Sequence, residues 1–157
     1  MNNPDLVIAS LSSAPKMIIP LVYEVPVKYR KRRPLPRKWS AHEHACHLAE
    51  VNPVFLARLD KILSEPTPRI TSYLPDKAEE EGALLKVDLD EAMDRFSRDR
   101  ANLVVRLKEL GEHDWGRIAD HEEYSHYSVF IMFRHLAMHD MLHAFRIEEL
   151  LLKKDWA

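Results

Sequence analysis

The chain has 157 residues, of which 46% are hydrophobic, and this apolar content is enough for one domain with a sizeable core. Its formal net charge of −2 at pH 7 gives no overall electrostatic attraction to nucleic acid. A single cysteine excludes an intramolecular disulfide, and the N-terminal residues lack the basic-then-apolar order of a signal peptide. Because no apolar run is predicted to span a bilayer, we expect one cytoplasmic domain over residues 1–157, with neither nucleic acid nor a membrane as partner.

The first predicted helix begins at Asn3, a favourable N-cap, with Pro4 in the first helical position. It runs towards Tyr23. Pro15 and Pro20 are expected to bend or split it, because an internal proline removes a backbone hydrogen bond.

A basic loop follows, with the sequence KYRKRRPLPRK over residues 28–38. Such a cluster can contact phosphate or nucleic acid. A solvated loop is the favoured interpretation, because Tyr29 is its only aromatic residue and the rest of the chain is correspondingly acidic.

The second predicted helix has a clear start, because Ser40 and Glu43 have the spacing of a capping box. Pro53 is expected to bend this helix, and Pro66 and Pro68 are expected to end it. The pattern therefore predicts a helix from Ser40 to about Glu65.

The third predicted helix begins at Asp88, with Glu91 as the second half of a capping box, and Gly111 is a natural residue to follow its last turn. Arg100 interrupts the apolar stripe of this helix, either reaching to solvent or pairing with a buried acid. The connection before it, residues 66–87, is long enough for the second and third helices to run parallel.

The fourth predicted helix starts near Ser125 or Ser128 and runs to about Leu152, after an irregular link over residues 112–127. No segment has a convincing period-2 strand pattern. Four long helices without strands predict an all-α bundle.

Two histidines one helical turn apart, His139 and His143, occupy the apolar stripe of the fourth helix. Both rings can reach one point, since residues at this spacing lie about 40° apart around the helix. His47 in the second helix is the best candidate for a third metal ligand. From spacing alone, packed core histidines with ordinary hydrogen bonds remain the favoured interpretation.

Two common metal motifs do not fit. In HEHACH, His42 and His47 are about 140° apart on a helix and cannot share an ion as the zincin histidines do. The di-iron pattern of two Glu-x-x-His pairs is also missing, because only Glu123 and His126 have that spacing.

Two segments resemble the DinB-like superfamily of metal-dependent four-helix bundle proteins, which are related to the bacillithiol and mycothiol S-transferases. The segments are RPLPRKWSAHEHACHLAEVNPVFLARL and FRHLAMHDMLHAFRIEEL, and the resemblance extends over essentially the whole chain. The residues that match the family pattern are Arg33, Pro34, Trp39, Ser40, Glu43, His47, Leu48, Arg58, Leu59, His139, Asp140 and His143.

The resemblance implies an up-down-down-up bundle with a long crossover between the second and third helices. It also implies one divalent ion, zinc or nickel, bound by His47, His139 and His143, and often a homodimer. The expected function is a metal-dependent thiol S-transferase or hydrolase acting on a small molecule, which is in the first case a low-molecular-weight thiol. A non-catalytic metal-binding or scaffold protein, and a bundle with merely packed histidines, are the alternatives.

Other polar residues have structural interpretations. Glu43 has a structural role in the capping box, and His135 is expected to lie on a helix surface. Asp140 is either a base, a group that supports a ligand or a salt-bridge partner. Cys46 and Trp39 are predicted to pack rather than to react. The histidines expected to be partly exposed and without pairing are His42, His44, His113, His121 and His126.

Overall fold

The computed structural model describes residues 2–73 and 81–154. Its α-helices, in chain order, are α1 (Pro4–Glu24), α2 (Val27–Arg30), α3 (Ala41–Ser64), α4 (Leu89–Lys108), α5 (Glu112–Gly116) and α6 (Val129–Leu151). A short 3₁₀ helix (Ala83–Lys86) and two strands, β1 (Arg69–Ile70) and β2 (Asp120–His121), complete the described elements.

The starts of the long helices are set by side-chain caps, as predicted. Asn3 caps α1, Ser128 caps α6, and Ser40 and Glu43 form a complete capping box at α3. At α4, Asp88 accepts from the backbone N–H of Glu91, but only this half of the predicted box is formed.

Two details of the predicted helices differ in the structure. Pro15 and Pro20 lie inside a continuous α1, so the expected split of this helix does not occur. Gly111 does not follow directly on α4, because this helix ends at Lys108. Gly111 is instead the N-cap of α5, a short helix that lies in the link predicted to be irregular.

Helices α3 and α4 run in the same direction. Arg95 on α4 pairs with Glu50 on α3, and further along both helices Arg106 pairs with Asp60 at 2.8 Å. The long crossover therefore permits the parallel arrangement that was predicted for these helices.

Helix α6 runs opposite to α3, and α1 runs opposite to α4. His44 and Phe55 of α3 contact His143 and Phe133 of α6, in reversed order along the two chains. The end of α1 meets the start of α4 through a hydrogen bond from Tyr23 to Asp90. These directions make the predicted up-down-down-up bundle.

The two strands form a parallel pair of two residues each, which was not predicted. Arg69 is aligned with Asp120 and Ile70 with His121, so the crossover is joined to the link before α6. Two residues are too few to produce a period-2 sequence pattern. Residues 74–80 of the crossover lie outside the described residues.

A polar layer divides the bundle core into two apolar clusters. One cluster includes Leu11 and Leu136, and the other includes Ile18 and Ile147. Every long helix contributes residues to both clusters. Between them lie the buried polar residues Asn52, His47, Arg100, Asp140 and His143.

Helix α1 has about the predicted bounds, but it contradicts the expectation that no apolar run is long enough to span a bilayer. Of the described residues, only Pro4–Glu24 forms a helix long and apolar enough, by length and composition, to cross a membrane. Its Leu11, Ile18 and Val22 are nevertheless fully buried in the bundle.

Candidate metal centre

Three imidazoles from two antiparallel helices converge at one end of the polar layer. His47 lies two turns into α3, and His139 and His143 lie one turn apart on α6. Nε2 of His139 is 3.2 Å from Nε2 of His47 and 3.1 Å from Nε2 of His143. The ligand atoms of all three residues lie within 4.8 Å of one another. The structure thus brings together all three predicted ligand residues, and we call them the histidine triad.

The spacing of the triad fits a bound cation. Tetrahedral zinc, bonded to imidazole nitrogen at about 2.0–2.1 Å, separates its ligand nitrogens by about 3.3 Å. Nε2 of His139 offers either one lone pair or one N–H, so it cannot form a full hydrogen bond to both neighbours at once. A single ion placed between the nitrogens satisfies all three.

Burial keeps the triad in the protonation state that binds metal. Burial, assisted by the neighbouring histidines, lowers the pKa of His47 to about 3. Burial also lowers the pKa of His139 to about 4 and lowers that of His143 still further. The rings are therefore neutral at pH 7, as metal coordination requires.

His44 holds the outer side of one triad ring. Its Nδ1 lies 2.8 Å from Nδ1 of His143, the nitrogen that faces away from the triad centre. When Nε2 of His143 binds an ion, the ring proton is on Nδ1 and is donated to His44. Burial lowers the pKa of His44 to about 4, which leaves its ring neutral and able to accept.

His44 is partly exposed, as predicted, but the expectation that it has no pairing partner was wrong. The residue is half-buried, and its partner lies 99 positions away on α6. Its i, i+3 spacing from His47 places both rings on neighbouring faces of α3, and this was the one available signal.

An aromatic wall closes the side of the triad next to the start of α3. The Trp39 ring centroid is 4.9 Å from that of His47, 5.6 Å from that of His44 and 6.1 Å from that of His143. The ring centroid of Tyr73 lies 6.0 Å from that of His47. Trp39 thus packs at the start of α3, as predicted, and its ring covers one side of the triad.

Asp140 forms a buried ion pair with Arg100. Of its three predicted roles, the structure therefore favours that of a salt-bridge partner. Its carboxylate accepts two hydrogen bonds from Arg100, at 2.5 and 3.1 Å, and both side chains are almost fully buried. Arg100 also donates to Asn52 and to the Leu11 carbonyl. Burial raises the pKa of Asp140, and the charge of Arg100 opposes this rise.

Glu43 is also engaged structurally, as predicted. It completes the capping box of Ser40, and its carboxylate accepts hydrogen bonds from Nε and Nη2 of Arg33 in the basic loop. Burial alone would raise the pKa of Glu43, but the hydrogen bonds from Arg33 and Ser40 bring it below its ordinary value. Neither carboxylate beside the triad is therefore free to act as a base.

The remaining histidines divide into buried and exposed groups. His42 was predicted to be partly exposed but is buried, and its Nε2 lies 3.1 and 3.0 Å from the carbonyls of Leu84 and Val87. His121 is also buried, next to Tyr124 and Tyr127. The exposed histidines are His113, His126 and His135.

Cys46 is fully buried, and its packing role is confirmed. Burial raises the pKa of its thiol to about 12, so the group stays protonated and unreactive at neutral pH.

An open cleft of about 980 Å³ adjoins the triad, and we call it the Trp39 cleft. Trp39 and His44 form the part of its lining that contacts the triad. Its charged lining comprises four basic and two acidic residues: Arg37, Lys38, Arg146, Lys153, Glu81 and Glu149.

Comparisons with known proteins agree with this architecture. Residues 10–145 match the family model described as the DinB superfamily. A search among curated proteins found no match. Among solved structures, the chain is similar to YfiT from Bacillus subtilis, described as a probable metal-dependent hydrolase with an unusual four-helix bundle topology. The TM-score is 0.83 at 18% identity over 98% of this chain and 89% of that one, which establishes a likeness of fold.

Proposed function

We propose, since this chain belongs to the DinB superfamily, that it is a cytoplasmic metal-dependent enzyme of the thiol S-transfer or hydrolase type. Its divalent ion is held by His47, His139 and His143. One observation carries the proposal: three neutral, largely buried imidazoles converge, with Nε2 of His139 at 3.2 Å from that of His47 and at 3.1 Å from that of His143. The description of the solved relative as a probable metal-dependent hydrolase supports it.

The triad leaves coordination positions for a substrate or water. Three imidazole ligands suit zinc or nickel, and three protein ligands are the usual number in catalytic zinc sites. When bound, such an ion polarises a carbonyl group or lowers the pKa of a thiol or water that it contacts. The triad would hold the ion, and the aromatic wall of Trp39 and Tyr73 would limit the access of bulk water to it.

The substrate is a small molecule that occupies the Trp39 cleft and carries an anionic group. Basic residues outnumber acidic residues in the cleft lining, although the whole chain is slightly negative. Trp39 provides an apolar surface beside these charges. A low-molecular-weight thiol with a carboxylate or phosphate group fits this combination.

Thiol transfer is the better supported of the two reactions. Glu43 and Asp140 are both committed to arginines, so neither supplies a general base for the activation of water. A thiol already acidified by the ion has less need of such a base. The same observation favours the second candidate function, a metal-binding protein without catalysis.

A substrate panel with metal-loaded protein tests the proposal. The panel pairs anionic thiols with alkylating or epoxide electrophiles and includes small esters and amides. We expect turnover by the wild-type protein, loss of turnover in His139→Ala, and unchanged turnover in His135→Ala, which removes an exposed histidine one turn away. Equal turnover in the wild type and His139→Ala would contradict a catalytic triad, and silence of the fully loaded wild type would favour the non-catalytic candidate.

His44 acts as a positioning residue for the ligand His143. We expect His44→Phe to weaken metal affinity about 10- to 100-fold, as changes next to metal ligands typically do. His44→Asn should retain most of the affinity, because its Oδ1 can accept the Nδ1 proton of His143. Competition titrations with zinc, and the visible spectra of the cobalt forms, measure both variants. Retained affinity in His44→Phe together with a loss in His44→Asn would show that the volume of the His44 ring matters, and not its hydrogen bond to His143.

A further inference from the structure

The wall of the Trp39 cleft contains two positive charges that no acid neutralises. Arg37 and Lys38 directly precede Trp39 in the basic loop, line the cleft and are exposed. Among the residues that the structure describes, no ion pair involves either of them. By contrast, Arg33 of the same loop pairs with Glu43. Uncompensated charge in a concave site attracts ligands of the opposite sign.

Arg146 brings a third positive charge to the cleft from helix α6. It lies three residues after the triad residue His143, and residues at this spacing are neighbours on one face of a helix, with Cβ atoms about 5–6 Å apart. Trp39 and His44 line the same cleft and also contact the triad. A short molecule that lies along the Trp39 ring can therefore contact both the triad and Arg146.

Arg146 already binds a carboxylate that belongs to this chain. Its Nη1 donates a hydrogen bond to Oε2 of Glu149 at 2.8 Å, and Glu149 also lines the cleft. The two side chains are 52% and 46% exposed, so water competes for both and the pair is weak. Within the described part of the chain, Arg146 is the only ion-pair partner of Glu149. A ligand carboxylate that also meets the charges of Arg37 and Lys38 has more partners and can displace Glu149.

We propose that Arg146, Arg37 and Lys38 together bind a carboxylate of the substrate thiol in this cleft. Glu149 is an internal competitor for Arg146. A carboxylate is assigned because the group that occupies Arg146 in the free protein is itself a carboxylate, and the planar guanidinium group matches carboxylate geometry. A neutral thiol of the same size leaves the Arg146–Glu149 pair intact and binds less tightly. The identity of the ligand as a thiol rests on the proposed function, whereas the binding of its carboxylate requires no metal.

Ligand titrations of the metal-free full chain, followed by NMR at low ionic strength, test this assignment. The probes are 3-mercaptopropionate and its amide, which differ in charge but hardly in size. We expect the wild type to bind the acid about tenfold more tightly than the amide, the usual effect of a hydrogen bond to a charged group. Arg146→Met should lose most of this preference. Arg134→Met is the matched control and should keep it, because Arg134 is exposed on the same helix but does not line the cleft.

The variant Glu149→Gln tests the internal competitor. Glutamine has nearly the same size as glutamate but no charge, so Arg146 is released for the ligand. Affinity for the acid should rise about two- to fivefold, the ratio that corresponds to the loss of one exposed ion pair. Affinity for the amide should not change. Both residues are about half exposed, so their variants should retain the helical circular dichroism of the wild type.

Equal affinities of the wild type for the acid and the amide, or an unchanged preference in Arg146→Met, would overturn the carboxylate site. Unchanged or weaker binding of the acid by Glu149→Gln would overturn the internal competition. If inorganic phosphate displaced the acid at lower concentration than succinate does, the site would be one for phosphate and the assignment of a carboxylate would be wrong.

The same titrations with zinc-loaded protein separate this proposal from the proposed function. Zinc should tighten the binding of both probes to a similar extent, because they share the thiol group. Absence of this gain would contradict thiol coordination and leave the carboxylate site in place. A gain with zinc but no preference for the acid would overturn the carboxylate site alone.

Discussion

Replacement of Arg100 by methionine should lower the free energy of unfolding by about 3–5 kcal/mol, the usual cost of removing one partner from a buried ion pair. Asp140 would keep its burial but lose two hydrogen bonds from the guanidinium group. Asn52 and the Leu11 carbonyl would lose their bonds to Arg100 as well. Urea denaturation of the metal-free protein measures the difference.

The same helix supplies a matched control for this prediction. Arg106 pairs with Asp60 at 2.8 Å, but the two side chains are 41% and 56% exposed. Arg106→Met should therefore cost only about 0–1 kcal/mol. The double variant Arg100→Met/Asp140→Leu should recover most of the stability lost in Arg100→Met, because the remaining side chains are both apolar. Similar losses for Arg100→Met and Arg106→Met would contradict the assigned role of the buried pair.

Removal of His47 should abolish the stabilisation of the folded protein by metal. A ligand that binds only the folded state at 100 times its dissociation constant adds about 2.7 kcal/mol to the free energy of unfolding. We expect zinc to stabilise the wild type by about this amount and to leave His47→Ala unchanged. The loss of affinity should exceed the roughly 10- to 100-fold effect of changes beside a ligand.

His135→Ala controls for the loss of a histidine as such. His135 is exposed and lies one turn before His139 on the same helix, so its removal should leave the zinc effect intact. If zinc stabilises His47→Ala as much as the wild type, His47 is not a ligand and the triad assignment is wrong.

The long helices were predictable because their signals are local. Caps such as Ser40 with Glu43, and Ser128 before α6, require only a few consecutive residues. Gly111 was misjudged because glycine is compatible with both the end of one helix and the start of the next. The β1–β2 pair was missed because two residues do not form a periodic pattern.

The triad was only partly predictable from the residues. The spacing of His139 and His143 requires that both rings share one face of a helix, but it does not reveal which residue of another helix faces them. His47 was the best candidate by its position in the second helix, and the family resemblance added support; the antiparallel packing of α3 and α6 brings it to 3.2 Å from His139.

Long-range pairs were the part that sequence reasoning could not resolve. Arg100 and Asp140 were each recognised as unusual, yet 40 positions separate them and only the packing of α4 against α6 joins them. His44 was missed for the same reason, since its partner is on a different helix. The pairs made by these residues were therefore harder to predict than the three histidines of the triad.

The metal content of the untagged protein tests the central claim most directly. Plasma mass spectrometry is applied to the wild type and to His139→Ala, purified identically and then incubated with zinc or nickel. The account predicts one divalent ion per chain in the wild type and none in the variant, because Nε2 of His139 lies within 3.2 Å of Nε2 of both other triad members. Equal metal content in the two proteins, or no metal in the incubated wild type, would contradict it.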